Sequence, residues 1–289
     1  MDYLPHFHRE VRAFEAVARW LAADGSGAPL VPSCPGWSVS DLVAHLGGVQ
    51  RFVAHLVRER MTDPPDSMAD LIARTPAPGT DLSFLGLPED RAGWPVSFDD
   101  APHRGPLPVG MVDWFTKGAA AMEALWRSTD PKERVWTFGP DQTVAFWLRI
   151  QTIEAAVHRW DAENAVGSAQ PVDAGLAEDA ITHTFEVMAP ARRAWTQAPP
   201  GSGERFRFRR TDGAGDWSVR FEGDEVRLDT GDGPGADDPD GDSGGAVELA
   251  GTASDLMLFL WQRIPADRLD VVKGDRAALD RYFVLVPPV

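Results

Sequence analysis

Cysteine is almost missing from these 289 residues: Cys34 stands alone. A single thiol excludes an internal disulfide and any multi-cysteine zinc site, so a metal would need nitrogen and oxygen ligands. Lysine is nearly as scarce, occurring only as Lys117, Lys132 and Lys273. Arginine brings Lys+Arg to 28, but Asp+Glu number 44 and the formal charge is −16. A phosphate backbone needs clustered cations, so nucleic acid is excluded as a partner and an anionic membrane is disfavoured. No run approaches the ~18 unbroken apolar residues of a membrane span. The N-terminus MDYLPHFHREVRAFEAVARW has acids and histidines where a signal peptide needs an apolar centre. The chain therefore reads as a soluble cytoplasmic protein, monomer or homodimer. P-loop, dinucleotide fingerprint, G-x-S-x-G elbow and internal repeat are all lacking, which leaves nucleotide chemistry and serine hydrolysis without a motif.

What is present is 43% hydrophobic residues, enough for one large or two ordinary cores. The first half has helical periodicity, with helices expected over about 3–22, 39–60 and 109–128, and a fourth after FGPDQT ending near Gly167. Ser38 and Asp41 have the spacing of a capping box after the Pro35-Gly36 turn. Between the second and third helices, 62–107 is rich in Pro, Gly and Asp. It is longer than an ordinary connection, and so is either a functional loop or a region of short helices. After 167–173 the pattern changes. One more helix, 173–195, is followed by RFRFRRT, WSVRFEG, DEVRLDT and AVELAG, whose period-two alternation predicts antiparallel strands. A helix in TASDLMLFLWQRI and a strand in LDVVKGD close the chain. The expected domains are 1–169 and 170–289. Asp238, Asp240 and Asp242 imitate a calcium loop, but the sixth and twelfth positions hold Ser243 and Leu249 in place of Gly and Glu. The acidic stretch 229–245 reads instead as a solvated hairpin loop.

The run QTIEAAVHRWDAENAVG poses the chemical question. Ile150, Ile153, Val157 and Ala165 form an apolar stripe, yet Glu154, His158 and Asp161 fall inside it. Glu154 and His158 stand one turn apart and can close on one ion. On the second helix Leu42, Leu46, Val49, Val53 and Leu56 define the buried stripe. His45 lies within its edge, whereas His55 points to the polar side, so His45 is the natural third ligand. A buried Glu could instead pair with Arg149 or Arg159 and do no chemistry. Two neutral imidazoles and a carboxylate suit a divalent ion and leave coordination positions open, the arrangement of catalytic zinc. Asp161 would act as an acceptor behind the ligands or as a base.

VPSCPGWSVSDLVAHLGG, followed about a hundred residues later by IEAAVHRWDAENAVG, resembles the mycothiol-dependent maleylpyruvate isomerase family. The resemblance implies an α+β protein: an N-terminal DinB-like four-helix bundle, then a small α+β sterol-carrier-like domain with an antiparallel sheet. It also implies an actinobacterial origin, zinc on His45, Glu154 and His158, and mycothiol as thiol cosubstrate. GTASDLMLFLWQRIPADRLDVVKGDRAAL looks like the family's closing helix and strand, which puts the family's catalytic arginine at Arg263. The implied activity is isomerisation of a small electrophilic substrate, or S-transfer to it. A metal-dependent hydrolase and a non-catalytic small-molecule-binding protein are the other readings the residues leave open.

Overall fold

The computed structural model describes residues 1–64, 81–95, 101–229, 247–274 and 276–287. The chain divides into two units, Met1–Gln170 and Pro171–Val289. Among the described residues no helix is long and apolar enough to cross a membrane.

The first unit is built on four long helices. In α1 (Tyr3–Asp24) the Asp2 side chain accepts from the Leu4 amide at the start, and Gly25, at φ 68°, stops the helix in the left-handed region. In α2 (Val39–Arg58) Ser38 and Asp41 form the expected capping box. The helices α3 (Val109–Ser128) and α4 (Val144–Ala165) complete the set. Helix α4 packs on α1 and α2, and α3 on the same two, so the four close around a shared core. Close approach of α2 to α3 depends on Gly47: a Cβ there would lie 2.1 Å from the Trp114 ring. That ring is capped on its face by Arg51, whose guanidinium carbon sits 4.0 Å from the ring centroid.

The described part of 62–107 contains one short turn of 3-10 helix, Ser83–Leu85. Phe84 stacks on His55 with centroids 4.8 Å apart, and Trp114 Nε1 donates to the Leu85 carbonyl at 2.9 Å. The polar side of α2 on which His55 lies is thus covered by this segment. Further along, the Ser38 hydroxyl donates to the His103 carbonyl, and the His103 amide donates to Asp41. The start of α2 is thereby fixed from both directions. Residues 65–80 and 96–100 lie outside the described residues.

The second unit begins with what the sequence presents as one helix over 173–195. The structure has α5 (Ala174–His183), a π-helical turn (Thr184–Met188) and α6 (Ala189–Thr196) in succession. Pro190 has no amide to return to the Glu186 carbonyl and crowds it, so the ladder widens, with the Ala189 amide reaching Thr184. The strands β1 (Gly201–Arg210), β2 (Asp216–Gly223), β3 (Glu225–Asp229), β4 (Val247–Gly251) and β5 (Asp270–Lys273) form one sheet in the order β3-β2-β1-β4-β5. The α+β class holds, but the sheet is mixed: β1 and β4 run parallel, while the other pairs are antiparallel. Because β4 joins the far side of β1, β3 and β4 are not neighbours in the sheet. Residues 230–246, including Asp238, Asp240 and Asp242, lie outside the described residues.

Alternation along β1 turns Phe206 and Phe208 inward to Phe221 and Tyr282, while Arg207 and Arg209 face outward and pair with Asp216 and Glu248. After β4 comes α7 (Ala253–Leu260), capped by Thr252. The chain does not close on β5 as expected, because α8 (Arg276–Leu285) follows it. This helix is under three turns long, and its buried Leu279, Tyr282 and Leu285 make too brief a periodicity to read without the aromatic core they enter.

Candidate metal centre

Helix α4 is buried on nearly every side from Ile150 to Glu163, so each polar group it carries there needs a partner. Arg159 takes two of them: Nε donates to Glu10 and Nη1 to Glu163, both at 2.8 Å. These carboxylates, from α1 and from one turn further along α4, complete a buried ionic cluster separate from Glu154.

Glu154, His158 and His45 are brought together. Glu154 Oε2 lies 3.4 Å from His158 Nε2 and 4.0 Å from His45 Nε2. The two imidazole rings meet edge to face, with centroids 5.0 Å apart. One donor atom from each residue falls within 4.8 Å of the other two. Two donors, each 2.0–2.2 Å from a tetrahedral ion, stand roughly 3.3–3.6 Å apart; the 3.4 Å separation falls in that range, and the 4.0 Å one is slightly wider and too long for a direct hydrogen bond. The side chains of His45 and Glu154 are 26% and 20% exposed, against 7% for His158, so the trio is open to solvent on the side of the first two.

Behind His158 the arrangement fixes its tautomer. Asp161, with no exposure, accepts from His158 Nδ1 at 2.9 Å through Oδ2. A proton on Nδ1 leaves the Nε2 lone pair on the Glu154 side, as a ligand requires. Asp161 also accepts from Ser33 Oγ at 2.6 Å and Cys34 Sγ at 3.4 Å. Trp37 packs edge-on against His45 at 5.1 Å. Sequence reasoning missed the contact of Ser33, because no periodicity links a turn to a helix 128 residues away.

Cys34, His158 and Asp161 make a second group with donor atoms in reach of one another. Arg263 belongs to the other unit, where its Nη1 donates to the Trp261 carbonyl at 2.8 Å. A shallow concavity lined by Ala16, Val17, Trp20, Val166 and Ser168 includes none of the expected site residues.

The electrostatics are those of a strongly coupled site. Burial alone would raise the Glu154 carboxyl, but His158 and His45 outweigh it and hold it well below the usual carboxylate range. Burial likewise opposes charge on His158, yet bonds to Asp161, Cys34 and Glu154 hold its pKa well above the imidazole range. The His158 shift contributes stability that is complete below about pH 6.5 and is lost as pH rises through the elevated value. The Glu154 shift contributes stability present above about pH 4.5 and lost as pH falls through the depressed value. Metal-stripped protein should therefore melt at lower temperature at about pH 9 than at about pH 6.5. Added divalent metal should reverse that trend, because cation and proton compete for the imidazoles and binding releases protons. Melting curves across this window, with and without metal, check both signs.

Comparison with known proteins gives two family matches. The family described as the mycothiol maleylpyruvate isomerase N-terminal domain matches residues 7–163, and that described as the MDMPI C-terminal domain matches residues 175–281. None of the curated proteins compared with the chain matches it. Among solved structures, a mycothiol-dependent maleylpyruvate isomerase is similar with a TM-score of 0.56 and 14% identity, over 95% of this chain and 93% of that one. A histidine-to-alanine mutant described under the same name is similar with a TM-score of 0.55 at 14% identity, over the same shares. At that identity the structural likeness concerns the fold.

Proposed function

Since the chain belongs to the mycothiol maleylpyruvate isomerase family, we propose that it is a mycothiol-using isomerase whose thiol is activated on a divalent cation held by His45, Glu154 and His158. The observation that carries this reading is the Glu154 carboxylate oxygen lying 3.4 and 4.0 Å from two imidazole nitrogens. Nitrogen and oxygen donors with positions left open favour zinc among common cations. When bound, the cation lowers the pKa of a thiol and polarises a neighbouring oxygen.

The chain's own groups prepare that site. Glu154 remains ionised because two imidazoles face it, and His158 presents Nε2 because Asp161 accepts at Nδ1. Of the two roles open to Asp161, its complete burial and three donors support the orienting one; a proton-transferring base needs access to the reacting atoms. The partly exposed edges of His45 and Glu154 give thiol and substrate an approach.

The substrate class is a small electrophile with a cis alkene between carbonyl groups. Thiolate adds to one alkene carbon, and the π electrons pass into the adjacent carbonyl. The new single bond rotates, and thiolate departs as the trans alkene re-forms, so no atom is gained or lost. Arg263 is assigned to a substrate carboxylate, which its planar fork can grip in bidentate fashion. Its place in the segment resembling the family's closing helix and strand supports this.

The test is to incubate the full chain, loaded with Zn²⁺, with mycothiol and maleylpyruvate and follow the isomers by NMR. Isomerisation requiring both metal and thiol is the expected result. Accumulation of a thioether assigns S-transfer instead, and formation of cleavage products without thiol assigns hydrolysis. Metal-loaded protein that consumes nothing leaves a binding protein.

A further inference from the structure

Ser33 sits in a turn that the reaction above does not use. Over 31–37 the chain makes two successive turns: the Cys34 amide donates to the Val31 carbonyl at 3.1 Å and the Trp37 amide to the Cys34 carbonyl at 3.0 Å. Pro32 and Pro35 preset the second residue of each turn, and Gly36 supplies the positive φ, 85°, needed at the third residue of the second turn. The turn is local, but its contacts are not. Ser33 Oγ donates to Asp161 Oδ1 at 2.6 Å, while Oδ2 of the same carboxylate takes His158 Nδ1 at 2.9 Å. At its other end the turn runs into Ser38, the cap of the helix that carries His45, and Trp37 packs on His45 itself. One short segment therefore touches both helices that supply the donor trio.

We propose that Ser33 is a positioning residue of the metal centre: its hydroxyl fixes the Asp161 carboxylate, which in turn holds His158 with Nε2 toward Glu154. The proposal rests on the reading of His45, Glu154 and His158 as metal ligands. The bond is short and charge-assisted, and it comes from a small side chain on a preset turn, so little freedom is lost in making it. Cys34 is no substitute, because a thiol is a weak donor and its sulfur lies 3.4 Å from the other oxygen. Without Ser33, Oδ1 of a fully buried carboxylate loses this short donor, and the carboxylate is held less firmly against the imidazole.

The test uses the full chain, stripped of metal and titrated with Co²⁺, whose visible bands report ligand geometry. Ser33→Ala is expected to weaken Co²⁺ binding about tenfold, as loss of an outer hydrogen-bond partner does. It should also shift the visible bands, with the metal-free melting temperature falling only by the modest amount that one lost donor to a buried carboxylate costs. Ser33→Thr, which keeps the hydroxyl, should restore affinity and spectrum. Unchanged affinity and bands in Ser33→Ala overturn the proposal. So does a loss of metal accompanied by a matching fall in metal-free melting temperature that Ser33→Thr does not restore. A wild-type chain that takes up no Co²⁺ overturns the metal centre itself and this proposal with it. Tight wild-type binding with an indifferent Ser33→Ala overturns only the role of Ser33.

Discussion

Glu154→Gln is expected to remove metal and thiol-dependent activity together while leaving the helices folded. The amide keeps the shape of the side chain and one carbonyl oxygen, so packing against α2 is conserved. What it loses is the negative charge set between two imidazoles. Supporting residues around metal ligands contribute roughly 10–100-fold in affinity, and a direct ligand should exceed that. Metal content after dialysis, far-UV circular dichroism and the isomerisation assay are the measurements. Retained metal with lost activity would make Glu154 a base, and retention of both would remove it from the centre.

Arg159→Ala should destabilise the first unit by about 3 kcal/mol. The side chain is 5% exposed and its partners Glu10 and Glu163 are buried with it. Removal leaves two carboxylates without their shared cation, a situation that costs about 3–5 kcal/mol, and the lower end applies because Arg9 still reaches Glu10. Urea denaturation of the metal-free protein measures it. Metal affinity should change little, since the bonds of Arg159 to Glu10 and Glu163 involve none of the donor trio. A loss below about 1 kcal/mol would place this cluster with exposed pairs.

Much of the first unit was legible because helical signals are local. The third helix was expected over 109–128 and is found at Val109–Ser128, and the Ser38 and Asp41 cap could be read from three-residue spacing. Helical phase also anticipated that His45 would meet Glu154 and His158; that they hold a cation is the proposal. Phase tells which side a residue faces but not what covers it, so the stacking of Phe84 on His55 could not be foreseen. The pairing of β1 with β4 was hidden for a related reason: period-two alternation fixes faces and is silent on neighbours and direction. The bond from Ser33 to Asp161 depends on tertiary packing alone. The π-helical turn is an intermediate case, since Pro190 marks the site of disruption without specifying its form.

X-ray absorption at the metal edge of the purified full chain, before and after adding mycothiol, tests the central claim most directly. The account predicts one metal per chain with nitrogen and oxygen neighbours at about 2.0–2.2 Å, imidazole scattering, and a sulfur neighbour at about 2.3 Å that appears only with the thiol. A protein with no metal, or one whose metal already has a sulfur neighbour from Cys34 before thiol is added, would contradict it.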